Sequence, residues 1–375
     1  MKIIDTEAMW VEIPLIPLAE GGISPYRGHN LPIGKGLVNA SSLIYKIVTD
    51  EGIIGWGESN RIINRDTHFA IFENLIKPAI LGKDPYDVFT ICSQLLRSVE
   101  TPIASNGIIS GIEIACWDII GQACGQPICN LIGGQIREKV EIAYCLGIYS
   151  EEETIEKIEQ IKAQNYSVIK TKGGENVELD IRRAHFFREQ LGNEIKLRID
   201  MNQAYDVSEA IRYLNGVDEL NLEYIEQPIP TNQFSALQSL RARAKTPIAI
   251  NEDCYIRHNL YECIKRNAID IAVVDLDQIG GITRMTKISN LCSEAGIPLA
   301  HHCGFDMGIK LAAILHVNAA LEAFTHAMDS TYMGHQDDIL KEKIVIENGS
   351  YKVPELPGLG IVVDEEKIRR YTIDK

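Results

Sequence analysis

A chain of 375 residues with a formal net charge of −15 and an apolar share of 45% has ample material for a core under an acidic exterior. That balance excludes nucleic acid and anionic membrane surfaces as main partners, since both need a basic footprint, while leaving room for a locally basic, anion-binding pocket. The length fits one large α/β barrel with a smaller companion domain.

Taken in chain order, the amino terminus MKIIDTEAMWVEIPL carries acids where a signal peptide needs an unbroken apolar core, and no run of about eighteen apolar residues follows it anywhere. The segments KIIDTEAMWVEI and SLIYKIVTDEGIIGWGES read as strands, the second folding back at a turn over Asp50 to Gly52. Between them lies a polar, glycine-rich stretch, AEGGISPYRGHNLPIGKG, long enough for a lid, with Tyr26, Arg27 and His29 as candidate substrate contacts; Arg61, just beyond GWGESN, is another. Helical periodicity then runs through IFENLIKPAILG and GIISGIEIACWDIIGQACG. The nine cysteines show no paired metal-site spacing and fit reduced thiols, with Cys124 and Cys129 expected as buried filler. A soluble cytoplasmic protein is expected.

From Val140 a different rhythm begins, with short apolar strands that alternate with amphipathic helices. Strand ends fall near Cys145, Lys172, Asp200, Glu226, Glu252, Asp275, His302 and Asp329, at intervals of 23 to 28 residues. Eight such steps imply a parallel sheet closed as a (β/α)8 barrel. The expected organisation is a capping α+β domain over residues 1–130, a barrel over 131–340 and a segment 341–375, read as a hairpin plus tail, that returns to the cap.

Chemistry in such barrels sits at the carboxyl-terminal strand ends, and these ends are dense in ionisable groups. In VIKTKGG, Lys170 and Lys172 share a face because alternate strand residues do. Two ammonium groups held together disfavour ionisation of one of them, which makes a lysine usable as a base. Asp200, Glu226 and Glu252 recur at 26-residue spacing, and three carboxylates from adjacent strands suit a hard divalent cation, Mg²⁺ rather than zinc. Asp253 stands beside Glu252 as an alternative ligand, and Asn202 as a further contact. Across the mouth, Asp275 can hold the imidazole of His302 in one tautomer and raise its basicity, giving a second acid/base group, with His301 pointing the other way. The glycines of DQIGGITR fit no phosphate motif and read as a tight strand-to-helix turn. A metal flanked by two bases suits abstraction of a proton α to a carboxylate, where negative charge gathers on the carboxylate oxygens.

These motifs, GIIGWGE, ACWDIIGQACGQPICNLIGG, IKTKGG, RIDMNQAY, YIEQP, NED, VDLDQIGG, the HH after IPLA and PGLGI, resemble the enolase superfamily along nearly the whole chain, closest to its mandelate racemase-like subgroup. The resemblance implies a cap closing over a Mg²⁺-bearing barrel mouth. It implies Asp200, Glu226 and Glu252 as metal ligands, Lys172 as the first base with Lys170 as its partner, and Asp275 with His302 as the second base. Muconate cycloisomerase-like relatives carry lysine where this chain has Asp275, although the glutamine of IEQP is commoner among them; Asp329 occupies the place of a substrate-contacting glutamate. The expected reaction is dehydration of an acid sugar, ahead of racemisation or epimerisation of a 2-substituted carboxylate and then cycloisomerisation. A carboxylate-binding barrel without turnover would lack a ligand or a base, and none is missing. A small carboxylate is the expected partner, and a homo-oligomer the expected assembly.

Overall fold

The computed structural model describes residues 1–16, 38–60, 64–98 and 102–373; the expected contacts Tyr26, Arg27, His29 and Arg61 lie outside the described residues. Three antiparallel strands open the chain: β1 (Ile3–Pro14), β2 (Asn39–Thr49) and β3 (Ile54–Ser59). Period-2 alternation splits their apolar residues between two faces. Leu43, Tyr45 and Ile47 face the helices of the cap, while Val11, Ile13 and Ile44 join the core that continues into the barrel.

Those helices are α1 (Arg65–Ile71), running through one wide turn into α2 (Lys77–Ile80), then α3 (Val88–Ser98), α4 (Pro102–Cys124) and α5 (Ile128–Ile132). Strand β3 lies directly against α4, and glycine makes the approach possible. A Cβ at Gly57 would stand 1.8 Å from the Gly111 carbonyl oxygen, and one at Gly111 would stand 2.3 Å from the Tyr45 ring. Residues 106–124 are long and apolar enough to cross a membrane, yet 78% of that stretch is buried inside the protein and it carries Glu113 and Asp118, so it is the central helix of the cap. Of the two cysteines expected inside, Cys129 is buried but Cys124, at the end of α4, is exposed.

Eight parallel strands follow: β4 (Lys139–Cys145), β5 (Val168–Lys172), β6 (Lys196–Asp200), β7 (Tyr224–Glu226), β8 (Ile248–Ile250), β9 (Ile271–Val274), β10 (Leu299–His301) and β11 (Met328–Ser330). Neighbours pair in sequence order from β4 to β10, and β11 pairs with β4. A bridge from Leu299 to Phe324 spans the β10 to β11 side. The intervening helices are α6 (Glu151–Ala163), α7 (Val177–Leu191), α8 (Val207–Val217), α9 (Phe234–Arg241), α10 (Glu252–Tyr255), α11 (Asn259–Lys265), α12 (Leu276–Ile279), α13 (Ile282–Glu294) and α14 (Gly308–Ala320). Local chemistry starts several of them: Ser150 with Glu153 and Asp206 with Glu209 form reciprocal capping boxes, which satisfy amides that the first turn leaves without partners.

The carboxyl-terminal segment touches the barrel first and the cap after it. Its hairpin, β12 (Ile346–Glu347) and β13 (Ser350–Lys352), extends the barrel sheet by pairing β13 antiparallel with the outer end of β4. Beyond it the chain does reach the cap: the Leu359 amide donates to Asp118, and α15 (Glu365–Tyr371) packs on β1.

Candidate active site

The predicted strand ends converge at one mouth because parallel pairing keeps them in register. Lys172 is level with Asp200 across β5 and β6, and Asp200 with Glu226 across β6 and β7. Glu252 departs from that level, since Glu226 pairs with Ala249 and Glu252 lies three residues further on. Strand β8 stops at Ile250, and Glu252 opens α10 after Asn251 leaves the strand conformation.

Lys170 is 3% exposed, and its ammonium lies 2.7 Å from Glu226, 2.8 Å from Asp329 and 3.6 Å from Asp200. The Lys172 ammonium sits 2.6 Å from Asp200 and donates to the Asn202 side chain at 2.8 Å. Burial opposes the charge on each lysine, yet the carboxylates prevail and hold both pKa values above the ordinary lysine range. Lys170 does push Lys172 down, as the Lys-x-Lys pattern predicts, but Asp200 outweighs it here. Burial pushes Asp200 up, but Lys172 and Lys170 overrule it and hold the carboxyl well below its usual range. Burial, reinforced by Asp200, pushes Glu226 up to about 8 against the pull of Lys170; Glu252 is raised by the same two causes. The carboxylates here therefore call for more positive charge than two ammonium groups supply.

Whether Asp200, Glu226 and Glu252 fit a divalent cation is decided by the donors. All are carboxylate oxygens, which suits a hard ion, and Glu252 Oε2 is buried without a hydrogen-bond partner. Glu252 Oε1 accepts from Asn202 at 3.3 Å. Among the described residues no three acidic, imidazole or thiol groups close into a ready cage, because the two ammonium groups stand among the carboxylates. The donor set fits the ion, and its closure requires side-chain movement. Asp253 is excluded as the alternative ligand: its oxygens are occupied by Gln227, the Asn232 amide and Asn259.

Asp329 lines a pocket with Lys170 and Lys172. Fully buried, it is engaged by Lys170 and, at 3.4 Å, by Arg198. Asn202 does reach the mouth, with φ of +44° beside Gln203 at +68° and, just past the end of the next strand, Gln227 at +38°. Left-handed backbone at three non-glycine residues is the kind of strain that concentrates at functional sites. The glutamine of IEQP nevertheless has a structural assignment: the Gln227 side chain accepts from the Asn251 and Asp253 amides and donates to Asp253 and the Ile229 carbonyl. It braces the turn that carries Glu252.

His302 lines the same pocket as Lys170 and Lys172. Its Nδ1 lies 3.2 Å from Asp275 Oδ2, which selects the tautomer that leaves Nε2 for the pocket. Asp275 is also a helix cap: Oδ1 accepts the Asp277 amide at 2.9 Å and starts α12. His301 is fully buried with Nδ1 on the His302 carbonyl, and burial lowers its pKa, consistent with a core position. The glycines after Asp275 form the expected turn, with Gly280 at φ +93° and Gly281 at +103°. Two residues were not legible as site components. Lys310 meets Asp275 from α14 at 3.2 Å, and Glu58 reaches the same helix from β3.

Two family descriptions match this chain: Enolase C-terminal domain-like over residues 153–367, and Mandelate racemase / muconate lactonizing enzyme, N-terminal domain, over residues 31–133. Arabinonate dehydratase of Saccharolobus solfataricus is 33% identical, covering 87% of this chain and 89% of that protein. N-succinyl-L-Arg/Lys racemase of Bacillus cereus is 28% identical, covering 88% of this chain and 90% of that one. The crystal structure of the Bacillus cereus racemase superposes with a TM-score of 0.90 at 25% identity, covering 100% of this chain and 99% of that chain.

Proposed function

The chain belongs to the mandelate racemase/muconate lactonizing enzyme family of the enolase superfamily and is a lyase or isomerase; from that premise we propose that it removes the proton α to a carboxylate and, in an acid sugar, expels the β-hydroxyl to leave a 2-keto-3-deoxy acid. The observation that carries the reading is one pocket lined by both Lys172 and His302, beside carboxylates short of positive charge.

Asp200, Glu226 and Glu252 are the residues that would hold Mg²⁺, and the ion supplies, when bound, positive charge for a substrate carboxylate. Lys172 takes the α-proton at Nζ in its neutral form, which Asp200 disfavours and Lys170 favours. Lys170, clamped by Glu226 and Asp329, keeps its charge and faces the negative charge that develops on the substrate. His302 Nε2 gives a proton to the departing hydroxyl, while Asp275 holds Nδ1 and steadies the imidazolium; each acid/base group contributes roughly 10² to 10⁴ in rate. The resemblance to the arabinonate dehydratase favours dehydration. Racemisation or epimerisation is the second reading, favoured by a base on either side of one pocket and by the Bacillus cereus racemase. A cytoplasmic homo-oligomer acting on a small carboxylate completes the proposal.

The test is a stereochemically complete panel of acid sugars alongside N-acylated amino acids, assayed with Mg²⁺ and after chelation. A 2-keto product from one sugar configuration, lost on chelation and in Glu226→Gln, is expected. Inversion of an acylated amino acid with no 2-keto product would move the assignment to the racemase. Full turnover by Glu226→Gln after chelation would remove the metal from the scheme.

A further inference from the structure

Lys310 stands in the first turn of α14, inside a largely apolar and fully buried helix, with no exposed surface. A lysine buried there is costly unless its charge is met, and it is met by a cage. Its ammonium lies 2.7 Å from Asp306, 3.2 Å from Asp277, 3.2 Å from Asp275 and 3.1 Å from the Asn60 side-chain oxygen. The cap closes that cage: Asn60 donates its backbone amide to Asp277 and its side chain to Asp306, and Glu58 accepts the Lys310 backbone amide. Lys310 does not line the pocket that holds His302.

The two oxygens of Asp275 divide the work. Oδ2 faces His302, whereas Oδ1 takes the Asp277 amide and the Lys310 ammonium. A cap amide alone would satisfy Oδ1. The added cation instead withdraws negative charge from the carboxylate that stabilises the imidazolium, and pins the rotamer that points Oδ2 at Nδ1. We propose that Lys310 is the positioning residue of the second base, fixing Asp275 and thereby restraining the proton affinity of His302. This rests on the proposed role of His302 for its consequence in catalysis, but not for the coupling itself. The other groups facing the imidazole are Lys170 and Lys172 from β5, Asp329 from β11, and the thiols of Cys145 and Cys303. The bond that links Lys310 to the Asp275–His302 pair is the one to Asp275 Oδ1, and its removal is read through that carboxylate.

The test reads the histidine directly. The protein is labelled with ¹⁵N in its nine histidines, kept free of metal, and titrated by NMR, with His302→Asn used to assign the resonance. In Lys310→Met the His302 midpoint is expected to rise by about one pH unit and its Nδ1–H tautomer to lose dominance, as removal of a charge one group away implies; Lys310→Arg should restore both. Should Lys310→Met fail to fold, Lys310→Met with Asp306→Asn keeps the cage charge balanced: its midpoint should move less, but with the Lys310 bond to Asp275 gone the Nδ1–H tautomer should still lose dominance. A folded variant of either kind with an unmoved midpoint and tautomer overturns the proposal. A moved midpoint supports it, and if substrate turnover is then unaffected, the second-base reading fails while the coupling stands.

Discussion

The two bases differ in how they are held, and that difference is testable one residue at a time. Lys172 leans on Asp200 and Asn202 through its own ammonium, whereas His302 is oriented from behind by Asp275. Removing Lys172 takes away the group that touches the α-proton; removing His302 takes away the step that follows. In Lys172→Met, exchange of the α-hydrogen with solvent deuterium should vanish for a Lys172-facing substrate. In His302→Asn that exchange should persist while net turnover falls by about 10² or more. Proton NMR of a turnover-competent substrate in deuterium oxide, on folded Mg²⁺-loaded variants, separates the cases. Wild-type turnover by His302→Asn would make His302 a core histidine. These residues were legible in the sequence because strand ends recur at a steady interval and period-2 alternation says which side chains share a face. Lys310 was not, since a lysine at the start of an apolar helix looks like a boundary charge. Its partners are scattered from Asn60 to Asp306, and nothing in local spacing joins them.

At the scale of elements, strand-and-turn chemistry was readable where both partners are near in sequence, and obscure where one strand chooses a distant neighbour. The β2–β3 hairpin shows the first kind, with the turn over Asp50 to Gly52 followed by antiparallel pairing of the two strands, whereas the seat of β3 on α4 was not legible in the sequence. In GWGES the glycines at 55 and 57 leave one face of the strand bare, and α4 fills it through its own Gly111. Gly57→Ala would place a methyl 1.8 Å from the Gly111 carbonyl, so strand and helix must separate at a buried contact. The expected cost is about 2–4 kcal/mol of stability, measured as a lowered denaturant midpoint. Gly125→Ala is the control: its Cβ meets nothing within 4 Å, although φ is +64°, so it should cost only about 1 kcal/mol. Equal losses in the two variants would reject the close-approach account. The hairpin at 346–352 shows the second kind. Its turn is plain in ENGS, where Asn348 and Gly349 both take positive φ, but nothing in those residues names β4 as the strand it joins.

For the whole molecule, cap and barrel are joined by buried carboxylates aimed at helix starts, a favourable place for negative charge. Glu58 accepts the amides of Met307 and Lys310 at the start of α14; Glu113 accepts the Thr283 amide at the start of α13. Burial nonetheless raises Glu58 to about 8, with Asp306 adding to it and Lys310 opposing, and raises Glu113 to about 7 against its hydrogen bonds to Thr283, Ile282 and Trp117. The sign follows from which state holds the proton more tightly. Both carboxyls have folded pKa values above the unfolded 4.5, so their stabilising contribution is complete below that value and disappears as pH rises through about 7 and then about 8. Asp329 and Glu223 behave oppositely: burial raises them, but Lys170 and Arg198 respectively pull them below normal, so their contributions are lost on acidification. Stability should therefore peak on the mildly acidic side and decline toward pH 9, with Glu58 and Glu113 both contributing to the fall. The double variant Glu58→Gln with Glu113→Gln should flatten that decline without abolishing it, because Asp118, which burial raises to about 6, still contributes. Denaturant midpoints at pH 5, 7 and 9, with chelator present to keep metal linkage out, decide the matter. A wild type equally stable at all three values, or a double variant that declines as steeply as wild type, would mean that these carboxylates stay ionised at the cap–barrel junction and that the helix starts hold them against burial.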